Sequence, residues 1–353
     1  MRTPCFQQGA LLWLPCLAFR ARGWPASVKE PGHVHPIHRV PYSKLTFAHF
    51  YNYRQRDRPL IITDIPSAQS PCFGGLGNFN DSLLWGCRGP LPVKKMVPGS
   101  KVRKGVELVA LAPFGEFLRL FAREGGFEDR CGRIGPVYAD SGSIRDHCRN
   151  LWRHLRFPAF FTGQMRLHAP AVGLQYSENR HFPSLYFSQK GARQTFHLDE
   201  PRTEIWTAVC RGRKRYRVAP LSLAWRRWGR HVDLPAVLLR PEEEPLGLPV
   251  WEGSAAPGEV LYIPAGALHA VVAEEDTINL VDNFIDVGGL GPISSLNAEL
   301  LKRSPNHVGL AWWLSQPHLR AQLYDGAGRV QDINATAQGF PSWAELRDIH
   351  GLD

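Results

Sequence analysis

Two residues spaced two apart, His197 and Asp199 in the stretch TFHLDEPRTEIWTAVCRGRKRYRV, offer an imidazole nitrogen and a carboxylate oxygen inside a β-like run. Strand alternation puts Thr195, His197 and Asp199 on one face, and such a pair on one pleat can bind one metal ion. A turn at Arg211-Gly212 leads into RKRYRV, where Arg213, Arg215 and Arg217 share one face and Lys214, Tyr216 and Val218 the other. The arginine face meets solvent, so Lys214 points inward, where an ammonium needs an anionic partner. The third donor expected is His269, in PGEVLYIPAGALHAVV. There a strand ends at Ile263, a Pro264-Ala265-Gly266 turn follows, and His269 opens the next strand. Two histidines and one carboxylate, with no cysteine, form the donor set of non-haem Fe(II), a facial triad that leaves three positions open. A lone His-x-Asp is more often structural, and His269 alone reads equally as a hydrogen-bonded core histidine. The combination with an inward Lys214 is what favours a metal site.

The elements that must position these residues are many short strands separated by turn residues. They are Ser184 to Ser188, Thr195 to Asp199, Glu204 to Cys210, Arg213 to Val218, Glu259 to Ile263, His269 to Ala273 and Thr277 to Ile285. This spacing predicts a β-sandwich or barrel. Upstream, Phe47, Phe50 and Tyr51 follow helical spacing with Thr46 as N-cap, and LIIT after Arg58-Pro59 is a short buried strand. Residues 66–105 read as a long loop with short elements. Pro113 to Arg123 is an amphipathic helix. VYADSGSIRDHCRNLWRHLRFPAFF gives a strand end at Tyr138, a polar turn, a helix through Leu151, Trp152 and Leu155, and the pair Phe160-Phe161.

The outer segments read differently. Residues 1–28, with Arg2 ahead of an apolar run from Gly9 to Phe19, resemble a signal or targeting peptide. Residues 29–41 are a Pro-rich linker holding His33, His35 and His38, three loop histidines expected to be solvated. Residues 42–286 form the main domain, with an insertion at 221–257, and residues 287–353 a helical extension. Its helices include Leu296 to Leu301 and Trp312 to Leu323, and Ser342 to Glu345 has capping-box form. The insertion and the extension are expected to shape substrate entry or a homodimer contact. The sequons at Asn80 and Asn334 agree with a secretory-pathway or luminal location; an organelle, the cytoplasm and the nucleus stay open. Beyond the N-terminal segment, no stretch of the sequence is long and apolar enough to span a membrane.

The chain has 353 residues, a net charge of +10 and 44% apolar residues, enough for a substantial core. Its basic residues are scattered and form no long tract, which disfavours a nucleic-acid partner. Seven cysteines occur without a CxxC, which argues against a zinc knuckle or thioredoxin-type site. Cys72 with Cys87, and Cys131 with Cys148, are the pairings expected by proximity, with Cys210 free; five unpaired buried thiols are the alternative.

Over roughly Tyr42 to Asp286 the sequence resembles the JmjC-domain oxygenases of the cupin-like, double-stranded β-helix group. HLDEPRTEIWTAVCRGRKRYRVAP is similar to that family's first metal segment and PGEVLYIPAGALHAVVAEEDTINLVDNF to its second. RPLIITD looks like its first strand and VYADS like its Tyr-x-Asp approach to the core. The spacing from His197 to Lys214 resembles the small hydroxylases related to the lysyl hydroxylase once called the phosphatidylserine receptor. The resemblance implies a mainly β fold with flanking helices, Fe(II) on His197, Asp199 and His269, and 2-oxoglutarate held at its far carboxylate by Lys214. Tyr138, Thr207 and Asn283 would lie on the cofactor side; ordinary core satisfaction is the competing reading for each. Two departures stand out. Gln194 replaces the usual Thr, on the opposite pleat from Thr195, and Ala267-Leu268 replace larger aromatic residues before His269. The function implied is a dioxygenase that hydroxylates a protein side chain, with N-demethylation left open. The alternatives are a catalytically inactive protein- or RNA-binding module, and a sugar-binding or isomerase cupin, which would not need Lys214.

Overall fold

The computed structural model describes residues 33–72, 81–96, 106–121, 136–161 and 183–220 (with short breaks in the last two), 248–284, and four two-residue segments. Residues 1–28 with their expected targeting role, both sequon asparagines, most of the insertion, Cys131 and nearly all of the C-terminal helices expected from sequence lie outside the described residues.

In chain order the elements are β1 (Val34–Pro36), β2 (His38–Pro41), α1 (Phe47–Gln55), β3 (Leu60–Thr63), β4 (Pro90–Met96), β5 (Val106–Pro113) and α2 (Phe114–Phe121). The two-residue β6 (Glu128–Asp129) and β7 (Gly132–Arg133) precede β8 (Val137–Ser143), α3 (Ile144–His147), α4 (Arg149–Trp152) and β9 (Ser184–Ser188). Then come β10 (Arg193–His197), β11 (Glu204–Arg211), β12 (Lys214–Ala219), β13 (Val250–Ala255), β14 (Val260–Ile263), β15 (Leu268–Ala273) and β16 (Thr277–Phe284). β17 (Leu323–Tyr324) and β18 (Val330–Gln331) pair with each other, so Leu323 begins a strand where a helix end was expected.

Two large sheets result, a smaller one ordered β1-β13-β12-β15-β10 and a larger one ordered β2-β3-β14-β11-β16-β9-β8-β4-β5. Between them lie Ile61, Ile205, Val209, Leu261 and Ile263 of the large sheet, packed with Tyr216, Val218 and Ala255 of the small one. The other face of the large sheet carries Leu60, Ile62, Trp206, Tyr262 and Leu280, covered by Phe50 of α1, Phe114 and Phe117 of α2, and Phe160-Phe161. A strand covered on both faces shows no alternation, and β11 is buried at every position except Arg211. β12 has one solvated face and alternates as the sequence predicts: Lys214, Tyr216 and Val218 are buried, and Arg213 and Arg215 are exposed.

Local chemistry fixes the joints. Thr46 caps α1, its hydroxyl accepting from His49 N–H at 3.1 Å. Arg54 of α1 makes two 2.7 Å hydrogen bonds to Glu204 of β11, and Tyr262 donates to the same carboxylate at 2.5 Å. This buried network ties helix to sheet. Gly212 has φ +72° in the β11–β12 turn, and a Cβ there would collide with the Asp276 carbonyl, so the predicted turn requires glycine.

Several expectations are corrected. The linker holds β1 and β2, each paired in parallel with a strand of the sandwich. Within it His33 and His35 are exposed, while the His38 ring meets the Tyr53 hydroxyl. The region read as loop contains β4, which pairs with β5 on one side and β8 on the other. The polar turn after Tyr138 is part of β8, which runs on to Ser143 with an irregularity between Asp140 and Ser143. Val250–Ala255, placed by sequence in the insertion, is a central strand of the small sheet. The cysteines pair differently: Cys72 with Cys210, and Cys87 with Cys148. Both bonds join segments far apart in sequence, which proximity along the chain cannot reveal.

Candidate metal centre

β10 and β15 run antiparallel, and their register sets His197 opposite His269. The Pro264-Ala265-Gly266 turn delivers His269, with Gly266 at φ +64° and Ala267 N–H donating to the Pro264 carbonyl at 3.1 Å. The two rings lie 4.2 Å apart between centroids, and both side chains are buried. Asp199 stands two residues past the end of β10. Its Oδ1 lies 3.7 Å from His197 Nε2 and its Oδ2 4.0 Å from His269 Nε2. The donor atoms of all three residues fall within 4.8 Å of one another, a group able to hold a metal ion. Donors about 2.1 Å from one ion sit roughly 3–3.5 Å apart, so a small inward shift completes the set.

The tautomers are also set. His197 Nδ1 lies 2.7 Å from the Thr195 carbonyl, and His269 Nδ1 lies 3.1 Å from the Ala267 carbonyl. A carbonyl only accepts, so each Nδ1 carries the proton and each Nε2 presents its lone pair toward Asp199. Asn283 Nδ2 donates to Asp199 Oδ2 at 3.0 Å and to Thr203 Oγ1 at 3.2 Å. Asn283 therefore touches the site through the Asp199 carboxylate.

One face assignment from sequence fails here. The register of β10 shifts between Gln194 and His197, with Gln194 opposite Val271 and His197 opposite His269. Val271 and His269 are two apart on β15 and share a face, so Gln194 and His197 share one too. The irregularity breaks the alternation that set Thr195 beside His197 and Gln194 behind it. Thr195 instead supplies its carbonyl to the His197 ring.

Lys214 is inward, as expected, and 6% exposed. On the common face of β12 and β15 its level is Ala273, two pleat repeats from His269, roughly 14 Å along the strand. Gln194 stands between the two levels. Lys214 and Gln194 line one small cleft with Tyr138, Tyr186, Ser188 and Val271, and Arg193 borders it. Burial pushes the Lys214 ammonium down to about 7. Its Nζ donates to Asn279 Oδ1 at 2.6 Å, and no carboxylate among the described residues lies within ion-pair distance.

Tyr138 sits in this cleft with Lys94 over its ring at 5.4 Å. Thr207 is buried behind it, accepting from Asn279 Nδ2 at 3.1 Å and meeting the Tyr216 hydroxyl at 3.3 Å. Ala267 and Leu268, smaller than the aromatic residues of the resembled family, are buried in the core. Sequence reasoning missed Asn279, Tyr186 and Ser188. Asn279 carried a usable signal, since it shares a pleat face with Asn283 in TINLVDNF.

No family model matches the chain. The chain is 25% identical over 173 residues to the bifunctional arginine demethylase and lysyl-hydroxylase psr-1 of Caenorhabditis elegans. The match takes in 44% of this chain and 42% of that protein, so the chain spans less than half of the relative's length. It supports a relationship to the JmjC proteins at most.

Proposed function

We propose that the chain is an Fe(II)- and 2-oxoglutarate-dependent oxygenase that hydroxylates a protein side chain, built on a double-stranded β-helix core. The observation that carries this reading is one sandwich face bearing two Nε2-presenting histidines and a carboxylate at one level, and a buried lysine two pleat repeats away. His197, Asp199 and His269 would hold the iron; the neutral nitrogen pair with one anionic oxygen suits Fe(II). Lys214 would hold the far carboxylate of 2-oxoglutarate, which explains a buried ammonium lacking a carboxylate partner among the described residues. Bound there, iron and 2-oxoglutarate would activate dioxygen for C–H hydroxylation, one oxygen atom going to succinate as carbon dioxide is lost and the other to the substrate. The chain's own part is positional. The Thr195 and Ala267 carbonyls fix the two imidazoles, Asn283 orients Asp199, and the buried walls exclude water. The similarity to a lysyl-hydroxylase and arginine demethylase favours a protein substrate. Two disulfides agree with a substrate met in an oxidising compartment such as the secretory lumen.

The test is succinate formation from 2-oxoglutarate with Fe(II) and oxygen. Wild-type turnover is expected to vanish in His197→Ala and to need far more 2-oxoglutarate in Lys214→Ala. Turnover that is unaltered by His197→Ala would remove the metal-centre assignment.

A further inference from the structure

The far end of the cleft is built from neutral groups around one cation. Lys214 Nζ donates to Asn279 Oδ1 at 2.6 Å, Asn279 Nδ2 donates to Thr207 Oγ1 at 3.1 Å, and Thr207 meets the Tyr216 hydroxyl at 3.3 Å. All four side chains are buried. The Lys214 contact settles which way the Asn279 amide points. An ammonium only donates, so a flipped amide would set its NH2 against it, whereas the Thr207 hydroxyl could serve either orientation. An ammonium has three N–H groups, so two remain for an occupant of the cleft. The titratable groups lining that cleft are Tyr138 from β8, Tyr186 from β9 and Arg193 from β10, with no carboxylate among the described residues.

We propose that Asn279 is a positioning residue that presents the Lys214 ammonium to one carboxylate of a dicarboxylate ligand, its neutrality leaving the full charge for that ligand. This rests on the 2-oxoglutarate reading above and specifies how this chain builds the far end of that site. An aspartate at 279 would keep the acceptor but cancel the charge, and an apolar residue would release Nζ from its position. Binding is also coupled to a proton. Burial leaves the ligand-free amine at about 7, and a ligand carboxylate favours its protonated form. Affinity is therefore level below that pH and falls about tenfold per pH unit above it.

Isothermal titration of 2-oxoglutarate into the Mn(II)-saturated full chain tests this from pH 6.5 to 8.5. Asn279→Ala is expected to weaken binding about tenfold, the loss of one charge-assisted hydrogen bond. Asn279→Asp, nearly isosteric, is expected to weaken it further and to abolish the pH dependence. The proposal predicts the order wild type, Ala, Asp; a merely structural asparagine predicts wild type and Asp alike, with Ala worst. Asp binding as well as wild type, or all three binding equally, overturns the assignment. Thr207→Val frees the amide without touching Lys214 and is expected to weaken binding several-fold. It decides the matter if the Asn279 variants fail to fold by circular dichroism, an unchanged Kd overturning the proposal. A wild-type chain that takes up no 2-oxoglutarate overturns the cofactor reading itself. Wild-type binding with indifferent variants overturns only the role of Asn279.

Discussion

Replacing Lys214 with methionine is expected to make the ligand-free protein more stable near neutral pH. Methionine keeps most of the length and apolar bulk of the stem and removes the buried ammonium. Burial lowers the amine from 10.5 to about 7. At 1.36 kcal/mol per pH unit, that displacement is a cost on the order of 5 kcal/mol at and below about pH 7, where the group is protonated in both states. The substitution also strands Asn279 Oδ1, its present acceptor, at about 1–3 kcal/mol. The net gain is about 2–4 kcal/mol, or roughly 5 °C in Tm for a chain of this size. The sign with pH follows from proton counts. Between about 7 and 10.5 the folded wild type binds fewer protons at this site than the unfolded chain, so its stability rises with pH. The advantage of Lys214→Met is thus largest at and below pH 7 and shrinks toward pH 10.5. Thermal melts of both proteins at pH 6.5, 8 and 9.5 read the difference directly, other titrations cancelling between them. A variant less stable than wild type at pH 6.5, or a gap that does not change with pH, would refute the reasoning.

Asn283→Ala removes the amide that orients Asp199, and Mn(II) affinity is expected to fall about 10- to 100-fold by equilibrium titration, with the circular dichroism unchanged. Arg54→Ala leaves Glu204 buried without its two-pronged partner. Denaturant melts are expected to show a loss of about 3–5 kcal/mol, and Glu204→Ala on top of it to cost little more. Non-reducing peptide mapping is expected to recover Cys72 linked to Cys210 and Cys87 linked to Cys148. Cys72→Ala with Cys210→Ala is expected to cost about 2–5 kcal/mol in the same melts.

What could be read from the sequence was what depends on local periodicity. Alternation in RKRYRV sent Lys214 inward, Thr46 announced a helix start, and Pro264-Ala265-Gly266 announced the turn that delivers His269. Alternation failed at β10, where one register shift moved Gln194 onto the face of His197. A shift of that kind is set by the partner strand, which the segment's own residues do not encode. β4 and β13 were missed because prolines and a glycine disguise them. Gly253 of β13 has the Ile37 side chain against it, so packing between strands selects that glycine. The disulfide pairing and the link from Lys214 to Asn279 join residues 61 to 138 positions apart in sequence and become visible only once the chain is folded.

The central claim is that His197, Asp199 and His269 hold one metal beside a 2-oxoglutarate site. Anaerobic equilibrium binding of Fe(II), with and without 2-oxoglutarate, tests it most directly. One ion per chain is expected, held more tightly with 2-oxoglutarate present, lost in His197→Ala, and no longer tightened by 2-oxoglutarate in Lys214→Met. An ion that persists in His197→Ala, or wild-type binding indifferent to 2-oxoglutarate, would contradict it.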